Sequence, residues 1–316
     1  MVLVTGGTGF IGSHLLDKLA ASGARVRALV RRKMVLPEGV EAVFGDLANG
    51  QGIENAVRGA SVVFHVAGVT KAIRTADYYV GNTRATENLA RALAGRGARL
   101  IHVSSVAAAG PSRDGAPVTE EADPRPVTDY GKSKLEAESI VRSLVADAVI
   151  IRPAVVYGPR DTAVLQILKP ICRGVSLEIS GGEPRFSLVY VRDLVDGLLA
   201  ARAQQAAGRI YLLAYPKPIS WSELVCAAAG IVGRAPRVLR VPVSLAYAIG
   251  FWAEIWSSLA RRPGIISRAK VRDAGLSWVC DTRRAAAELG FEAKTPLEVG
   301  LAETMAWYKE AGWLKY

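Results

Sequence analysis

The sequence predicts an α/β fold: a doubly wound parallel sheet, followed by a smaller mixed C-terminal lobe. Three observations predict it. Short runs rich in β-branched residues alternate with helix-period segments through the first half. A glycine-rich turn joins the first strand run to the first helical run. After Gly158 the rhythm breaks into short elements with scattered prolines, Pro159 and Pro170 being the first. The expected division is therefore 1–158 for the sheet domain and 159–316 for the second lobe, part of which returns to the sheet.

Each element has its own warrant. Met1–Thr5 reads as the first strand. Phe10–Ala21 places Phe10, Ile11, Leu15, Leu16 and Leu19 on one helical face. Arg25–Val30 and Val40–Phe44 are the second and third strands. Ser61–Ala67 is almost continuously apolar, as a strand buried on both faces should be. Arg84–Leu93 reads as helix and Arg99–Ser104 as strand. Thr128–Val145 is a long helix, and Ala148–Arg152 the strand after it. Val241–Arg262 reads as a helix with a wide apolar stripe of Leu245, Ile249, Trp252, Ile255, Trp256 and Leu259, followed by Arg261 and Arg262. It falls short of a clean membrane span because it contains Glu254 and several serines.

Composition bounds the function. Half of the 316 residues are hydrophobic and 22% are charged, which excludes a disordered chain. Cys172, Cys226 and Cys280 lie far apart and offer no CxxC pair or zinc spacing. No metal is expected, and a reduced, cytoplasmic compartment is. The opening residues read as a strand and not as a signal peptide. Forty Lys and Arg against 29 Asp and Glu give a net charge of +11. That favours anionic partners, a phosphorylated cofactor or anionic lipid headgroups, though it also serves solubility. The longest basic run is Arg31-Arg32-Lys33, too short for a nucleic-acid tail. No nucleic-acid partner is expected.

Thr5-Gly6-Gly7-Thr8-Gly9-Phe10-Ile11-Gly12 follows a strand and opens a helix. Gly6 permits the tight turn, Gly9 lets the backbone approach a pyrophosphate, and Gly12 lets helix and strand pack closely. Free N–H groups at the helix start then face the phosphates. Gly6, Thr8, Gly9, Phe10, Ile11 and Gly12 are the candidate contacts. An acidic residue at the end of the second strand would bond the ribose 2′-OH of NAD. Arg31 and Arg32 stand there instead, which points to the 2′-phosphate of NADP. NAD stays open, because the same arginines could belong to a solvated loop. Asp46, followed by Leu47, is placed to accept from the adenine amino group or, alternatively, to cap a helix.

Tyr130-Gly131-Lys132-Ser133-Lys134 carries the sharpest chemical signal. Tyr130 and Lys134 project from one helical face. A phenol with a pKa near 10 is a poor acid at neutrality, and an adjacent ammonium should lower it. Such a tyrosine can give a proton to a carbonyl oxygen, or take one back. Ser105 would hydrogen-bond that oxygen, with Ser104 as the competing choice.

These segments together resemble the short-chain dehydrogenase/reductase superfamily in its extended branch. The carriers are 5–12, GDL at 45–47, HVAG at 65–68, Asn82, SSVAAAG at 104–110, YGKSK at 130–134 and RPAVVYGP at 152–159. The resemblance implies a Rossmann-like fold and a triad of Ser105, Tyr130 and Lys134. It implies that His65, Val66, Ala67 and Gly68 line the cofactor near its ribose. It places Asn82 behind the catalytic lysine. It sets Pro153, Val155 and Val156 near the nicotinamide. It also implies a homodimer. Ala85 departs from the family's usual glycine, which should alter helix packing more than chemistry.

The branch contains nucleotide-sugar epimerases and dehydratases, sterol-type dehydrogenases and ketone reductases. Ser105 is followed by Val106 and Ala107, with no acidic pair for elimination, so the expected pocket wall is small and apolar. The expected reaction interconverts a secondary alcohol and a ketone on a lipophilic small molecule. Tyr157 and Arg185 are further substrate candidates. Arg185 keeps a nucleotide-sugar epimerase with bound NAD open, since an arginine there could bind a diphosphate. A cofactor-sensing scaffold is disfavoured, because a sensor has no need of the triad. Segment 241–262 is either a lid helix or a peripheral contact with the inner membrane.

Overall fold

The computed structural model describes residues 1–113, 115–180, 182–259 and 268–315. Its centre is a seven-stranded parallel sheet. The strands are β1 (Val2–Thr5), β2 (Val26–Val30), β3 (Val40–Phe44), β4 (Val62–His65), β5 (Arg99–Val103), β6 (Ala148–Pro153) and, after four short strands of the second half, β11 (Ile210–Leu213). Their order across the sheet is β11-β6-β5-β4-β1-β2-β3. The chain reverses its winding direction between β1 and β4. That switch point opens a crevice at the carboxyl ends of the strands.

The first crossover helix is α1 (Phe10–Ala21), with Gly12, Leu15, Leu16 and Leu19 buried at helical spacing. Next come α2 (Ile53–Val57) and α3 (Thr75–Tyr78). A π-helical turn, Tyr79–Arg84, runs into α4 (Ala85–Leu93), so the expected helix at Arg84 begins about two turns earlier. Helix α5 (Val106–Ala109) is one turn, and α6 (Asp129–Leu144) follows, capped by Thr128 Oγ1 accepting from Gly131 N at 3.1 Å. Phe64, Val63 and His65 are fully enclosed, as a central parallel strand requires.

The second half adds three two-stranded ribbons: β7 (Val155–Tyr157) with β10 (Leu188–Tyr190), β8 (Val175–Ile179) with β13 (Arg237–Val241), and β9 (Arg185–Phe186) with β12 (Ile219–Ser220). Its helices are α7 (Ala163–Cys172), α8 (Val191–Ala200), α9 (Trp221–Val232), α10 (Val243–Leu259), α11 (Arg268–Ala274), α12 (Arg283–Leu289) and α13 (Leu297–Glu310). Strand β11 returns to pair with β6. Helix α9 starts with a reciprocal cap: Glu223 N donates to Ser220 Oγ, and Ser220 N donates to Glu223 Oε2. The expected helix at Val241 starts two residues later, since Val241 ends β13 and Pro242 supplies the break. Arg261 and Arg262 lie outside the described residues.

Candidate active site

The glycine loop is built by steric necessity. Gly6 has φ +72°, and a Cβ there would lie 2.5 Å from Ala67 N. A Cβ on Gly12 would lie 2.1 Å from the Gly6 carbonyl oxygen. So β1, the turn at Ala67 and α1 approach as closely as backbone allows. Gly9 N donates to Gly6 O at 2.9 Å and closes the loop. Thr8 and Gly9 are exposed, while Phe10 and Ile11 are half-buried. No side chain caps α1 and its first turn holds no carboxylate, so the helix start offers free N–H donors.

Arg31 and Arg32 are exposed just past β2, and neither forms an ion pair among the described residues. Asp46 is partly committed elsewhere: its Oδ1 accepts from Ala48 N at 2.9 Å. Leu47 packs its side chain in the core, and its carbonyl accepts from Asn88 Nδ2 at 2.7 Å. His65 does not line the crevice with its ring. The register pairs Thr5 with His65, and the imidazole lies between Thr5 Oγ1 at 2.7 Å and Thr86 Oγ1 at 2.9 Å, fully buried. Only the turn after it, Val66 to Gly68, is at least part-exposed. The free donors, the glycine cradle and the unpaired arginines fit a dinucleotide.

Tyr130 and Lys134 lie one turn apart on α6. A Cβ on Gly131 would lie 2.2 Å from Ala107 O, so this glycine lets α5 press against α6 and brings Ser105 to Tyr130. The two serines separate by role. Ser104 is buried and donates to Glu138 Oε1 at 2.5 Å. Ser105 is half-buried, caps α5 by accepting from Ala107 N at 3.1 Å, and interacts with the Tyr130 phenol. Val106 turns into a buried cluster with Ala109, Ala154 and Cys280, so it does not face substrate as expected, while Ala107 stays half-exposed.

The electrostatics correct one expectation. Burial pushes the Tyr130 phenol above its usual range; the Ser105 hydroxyl opposes this and Tyr78 adds to it. Lys134 Nζ donates to the Val103 carbonyl at 2.7 Å. Burial brings Lys134 itself down to about 8, with the Glu138 carboxylate acting the other way. Asn82, in the π turn, is a clamp: Oδ1 accepts from Val69 N at 2.7 Å, and Nδ2 donates to Val69 O and to Ser133 Oγ at 2.9 Å. A Cβ on Gly68 would lie 3.1 Å from Asn82 Oδ1 and 3.9 Å from Lys134 Nζ. Asn82 thus ties the crevice turn to the helix of the triad.

Beyond Pro153, β7 leads into a cavity of about 930 Å³. Val155, Tyr157, Phe186, Leu188, Trp221 and Trp278 are among its walls. Ser105, Tyr130 and Lys134 are not. Val156 is half-buried. Arg185 faces away: its Nη2 donates to Pro218 O at 2.6 Å and to Glu223 Oε2 at 3.1 Å. It therefore does not serve the cavity as expected, because neighbouring strand residues point to opposite faces and Phe186 takes the inward one. Sequence reasoning missed Glu138, Arg152 and the β8–β13 wall. Glu138 carried a signal, standing four residues after Lys134 on the same helix.

A parallel sheet with its glycine cradle at the switch point and a Ser-Tyr-Lys set beside it defines a nucleotide-dependent enzyme of the extended short-chain dehydrogenase/reductase type. Residues 2–214 match the NAD dependent epimerase/dehydratase family, and the chain belongs to it. It is 32% identical over 320 residues to a ceramide reductase of Caulobacter vibrioides, covering 99% of this chain and 96% of that one. A 4-hydroxy-2-methyl-3-oxo-4-farnesyl-3,4-dihydroquinoline-1-oxide ketoreductase of Stigmatella aurantiaca is 30% identical, covering 94% and 93%. Among solved structures, gox2253 superposes with a TM-score of 0.83 at 26% identity, covering 100% and 99%. MoeE5 in complex with UDP-glucuronic acid and NAD gives 0.78 at 26%, covering 98% and 99%.

Proposed function

We propose that the protein is an NADP-preferring oxidoreductase. It interconverts a secondary alcohol and a ketone on a hydrophobic substrate of steroid, isoprenoid or long-chain type. The observation that carries this reading is the apolar cavity of about 930 Å³ at the end of β7. A nucleotide-sugar diphosphate would call for a free guanidinium there. Arg185 is tied to Glu223, and Arg240, the one arginine of the lining among the described residues, pairs with Glu178 at 3.5 Å. The substrates that the two relatives' names give, a ceramide and a farnesyl-bearing quinoline, support the same class.

In this reading Gly6, Thr8, Gly9, Phe10, Ile11 and Gly12 hold the pyrophosphate, and Arg31 and Arg32 the 2′-phosphate. Asp46 and Leu47 flank the adenine. Val66, Ala67, Gly68, Pro153, Val155 and Val156 flank the nicotinamide half. When bound, the nicotinamide supplies or accepts the hydride. Tyr130 gives its phenolic proton to the carbonyl oxygen in reduction and takes it back in oxidation. Ser105 hydrogen-bonds that oxygen, and burial keeps Tyr130 protonated until it is called on. The Lys134 ammonium stabilises the phenolate left behind. Asn82 holds Ser133 and the 68–69 turn, and so the seat of Lys134. Ala107 and Tyr157 border the substrate.

Two further elements belong to this reading: a homodimer, and peripheral contact of α10 with a bilayer. No helix among the described residues is long and apolar enough to cross a membrane. A 4-epimerase with tightly held NAD is the second reading, favoured by the likeness to MoeE5. Titration with NADPH and NADH, followed by nicotinamide fluorescence, tests both. Loose binding with NADPH preference, then NADPH consumption with long-chain ketones, is the expected result. NAD released only on denaturation overturns it in favour of the epimerase.

A further inference from the structure

Tyr130 has one aromatic partner among the described residues. The Tyr78 ring lies 6.0 Å from it between centroids, with the two planes at 59°. Tilted rings at that separation attract each other. Tyr78 is half-buried and is also held at its tip, where the hydroxyl oxygen accepts from Ala72 N at 3.3 Å. Its ring is thus fixed between the segment after Gly68 and the phenol of the triad.

The contact is one of a series. Helix α3 runs directly into the π turn, and Thr75, Tyr78 and Asn82 follow at intervals of three and four residues, on one helical face. That face lies along the first turn of α6. Thr75 Oγ1 donates to Asp129 Oδ2 at 2.9 Å, and Asn82 Nδ2 donates to Ser133 Oγ at 2.9 Å. Thr83 Oγ1 donates to the Ser133 carbonyl at 3.1 Å. These three hold the residues before and between Tyr130 and Lys134. Tyr78 packs on a reacting side chain itself.

A tyrosine side chain turns about two torsions, and its hydroxyl, at the far end of the ring, moves furthest when either one changes. Displacing a reacting group by about 1 Å can cost about 10²-fold in rate. Ser105 interacts with the Tyr130 hydroxyl, while Tyr78 meets the ring. Resting on the reading of Tyr130 as proton donor, we propose that Tyr78 is a positioning residue for the reaction. The α3–π helix carries it against the Tyr130 ring, and it fixes the point at which the phenolic proton is delivered. Tyr78 takes no part in the proton transfer.

Two substitutions separate its ring from its hydroxyl. Tyr78→Phe keeps the ring contact and loses the tie to Ala72, whereas Tyr78→Leu loses both. The probe reaction is NADPH oxidation with 2-tridecanone. Tyr78→Leu should lower kcat about 10–100-fold. KM for the ketone and NADPH affinity should change less than about threefold, because the lost contact serves the transition state. Tyr78→Phe should bring kcat back to within about fivefold of the native value, since the ring is what packs. Thermal melting checks each variant first, and Tyr78→Met replaces Tyr78→Leu if the latter melts early. Native kcat in Tyr78→Leu overturns the positioning role and leaves Tyr130 as the acid. So does a loss shared by kcat, KM and NADPH affinity, or one that Tyr78→Phe does not recover. Native turnover in Tyr130→Phe, or no turnover of the ketone by the native protein, overturns the underlying reading and the role of Tyr78 with it.

Discussion

Glu138 on α6 and Arg152 on β6 form a buried, two-pronged ion pair directly behind the triad. Arg152 Nε lies 3.0 Å from Oε1 and Nη2 lies 2.6 Å from Oε2, and both side chains are at most 3% exposed. Oε1 also accepts from Ser104, the residue before Ser105. The pair thus locks β5, β6 and α6 at the point where Ser105 and Lys134 emerge. Removing one partner of such a pair costs about 3–5 kcal/mol, because the other charge is left buried. Glu138→Ala should show that loss in urea denaturation. Glu138→Leu combined with Arg152→Met should recover most of it. A loss under 1 kcal/mol in the single variant would mean that water reaches the site.

Lys134 gives a pH signature of two opposite signs. Its native pKa is about 8, below the ordinary value of 10.5. Between these values the unfolded chain binds a proton that the native chain does not. This group's contribution to stability therefore rises with pH across that window, by on the order of 3 kcal/mol. In the proposed mechanism ketone reduction uses the Lys134 ammonium, so its rate should fall across the same window. His65 and His102 face Lys134 across the sheet, and burial keeps both imidazoles neutral throughout. The test is kcat/KM and urea stability measured in parallel from pH 7 to 10. Both trends should vanish in Lys134→Met, and parallel trends in wild type would show that another group is titrating.

Tyr130→Phe keeps the ring, and its contact with Tyr78 at 6.0 Å between centroids, but removes the proton. Loss of a positioned general acid lowers turnover by about 10²–10⁴-fold. NADPH affinity should stay within about twofold, as measured by fluorescence titration. Retained turnover would assign the proton to another group.

The glycine loop was legible in the sequence because its constraint is steric: a Cβ at Gly6 or Gly12 has nowhere to go. Tyr130 and Lys134 were legible because helical period alone places them on one face. The choice between Ser104 and Ser105 was not, since it depends on which side of β5 carries Glu138, and only the assembled sheet decides that. The direction of the Tyr130 shift was not legible either. Charge proximity can be read from spacing, but burial cannot, and burial is the largest cause of the Tyr130 shift. His65 misled for a related reason: its motif marks a turn, while its ring belongs to the core with Thr5 and Thr86. The β8–β13 wall joins segments about 60 residues apart that carry no strong local pattern.

In the proposed function Arg31 and Arg32 discriminate the two nicotinamide cofactors. Both are exposed and unpaired among the described residues, so their loss should leave folding untouched. A charge-assisted hydrogen bond contributes about 1.5–3 kcal/mol. Arg31→Ala with Arg32→Ala should weaken NADPH binding at least about tenfold and change NADH binding little. Equal losses for both cofactors would remove the 2′-phosphate from this site.

The exposed face of α10 makes the last prediction. Trp252 and Trp256 are 67% and 73% exposed, and Leu245, Ile249 and Phe251 each exceed 40%. A lid helix would bury that stripe; this one leaves it uncovered, beside a ribbon with Leu177, Val238 and Leu239 also exposed. Arg237 stands exposed on the same ribbon, and the net charge is +11. Apolar rings with flanking arginines suit the headgroup zone of an anionic bilayer. Burying each large ring contributes about 1.5–3 kcal/mol. Co-sedimentation with phosphatidylglycerol vesicles should therefore drop more than about tenfold in Trp252→Glu with Trp256→Glu, and binding should weaken as salt rises. Unaltered sedimentation in the double variant would remove the bilayer from this face. Concentration-dependent self-association that the same variant abolishes would assign the face to a second copy of the chain.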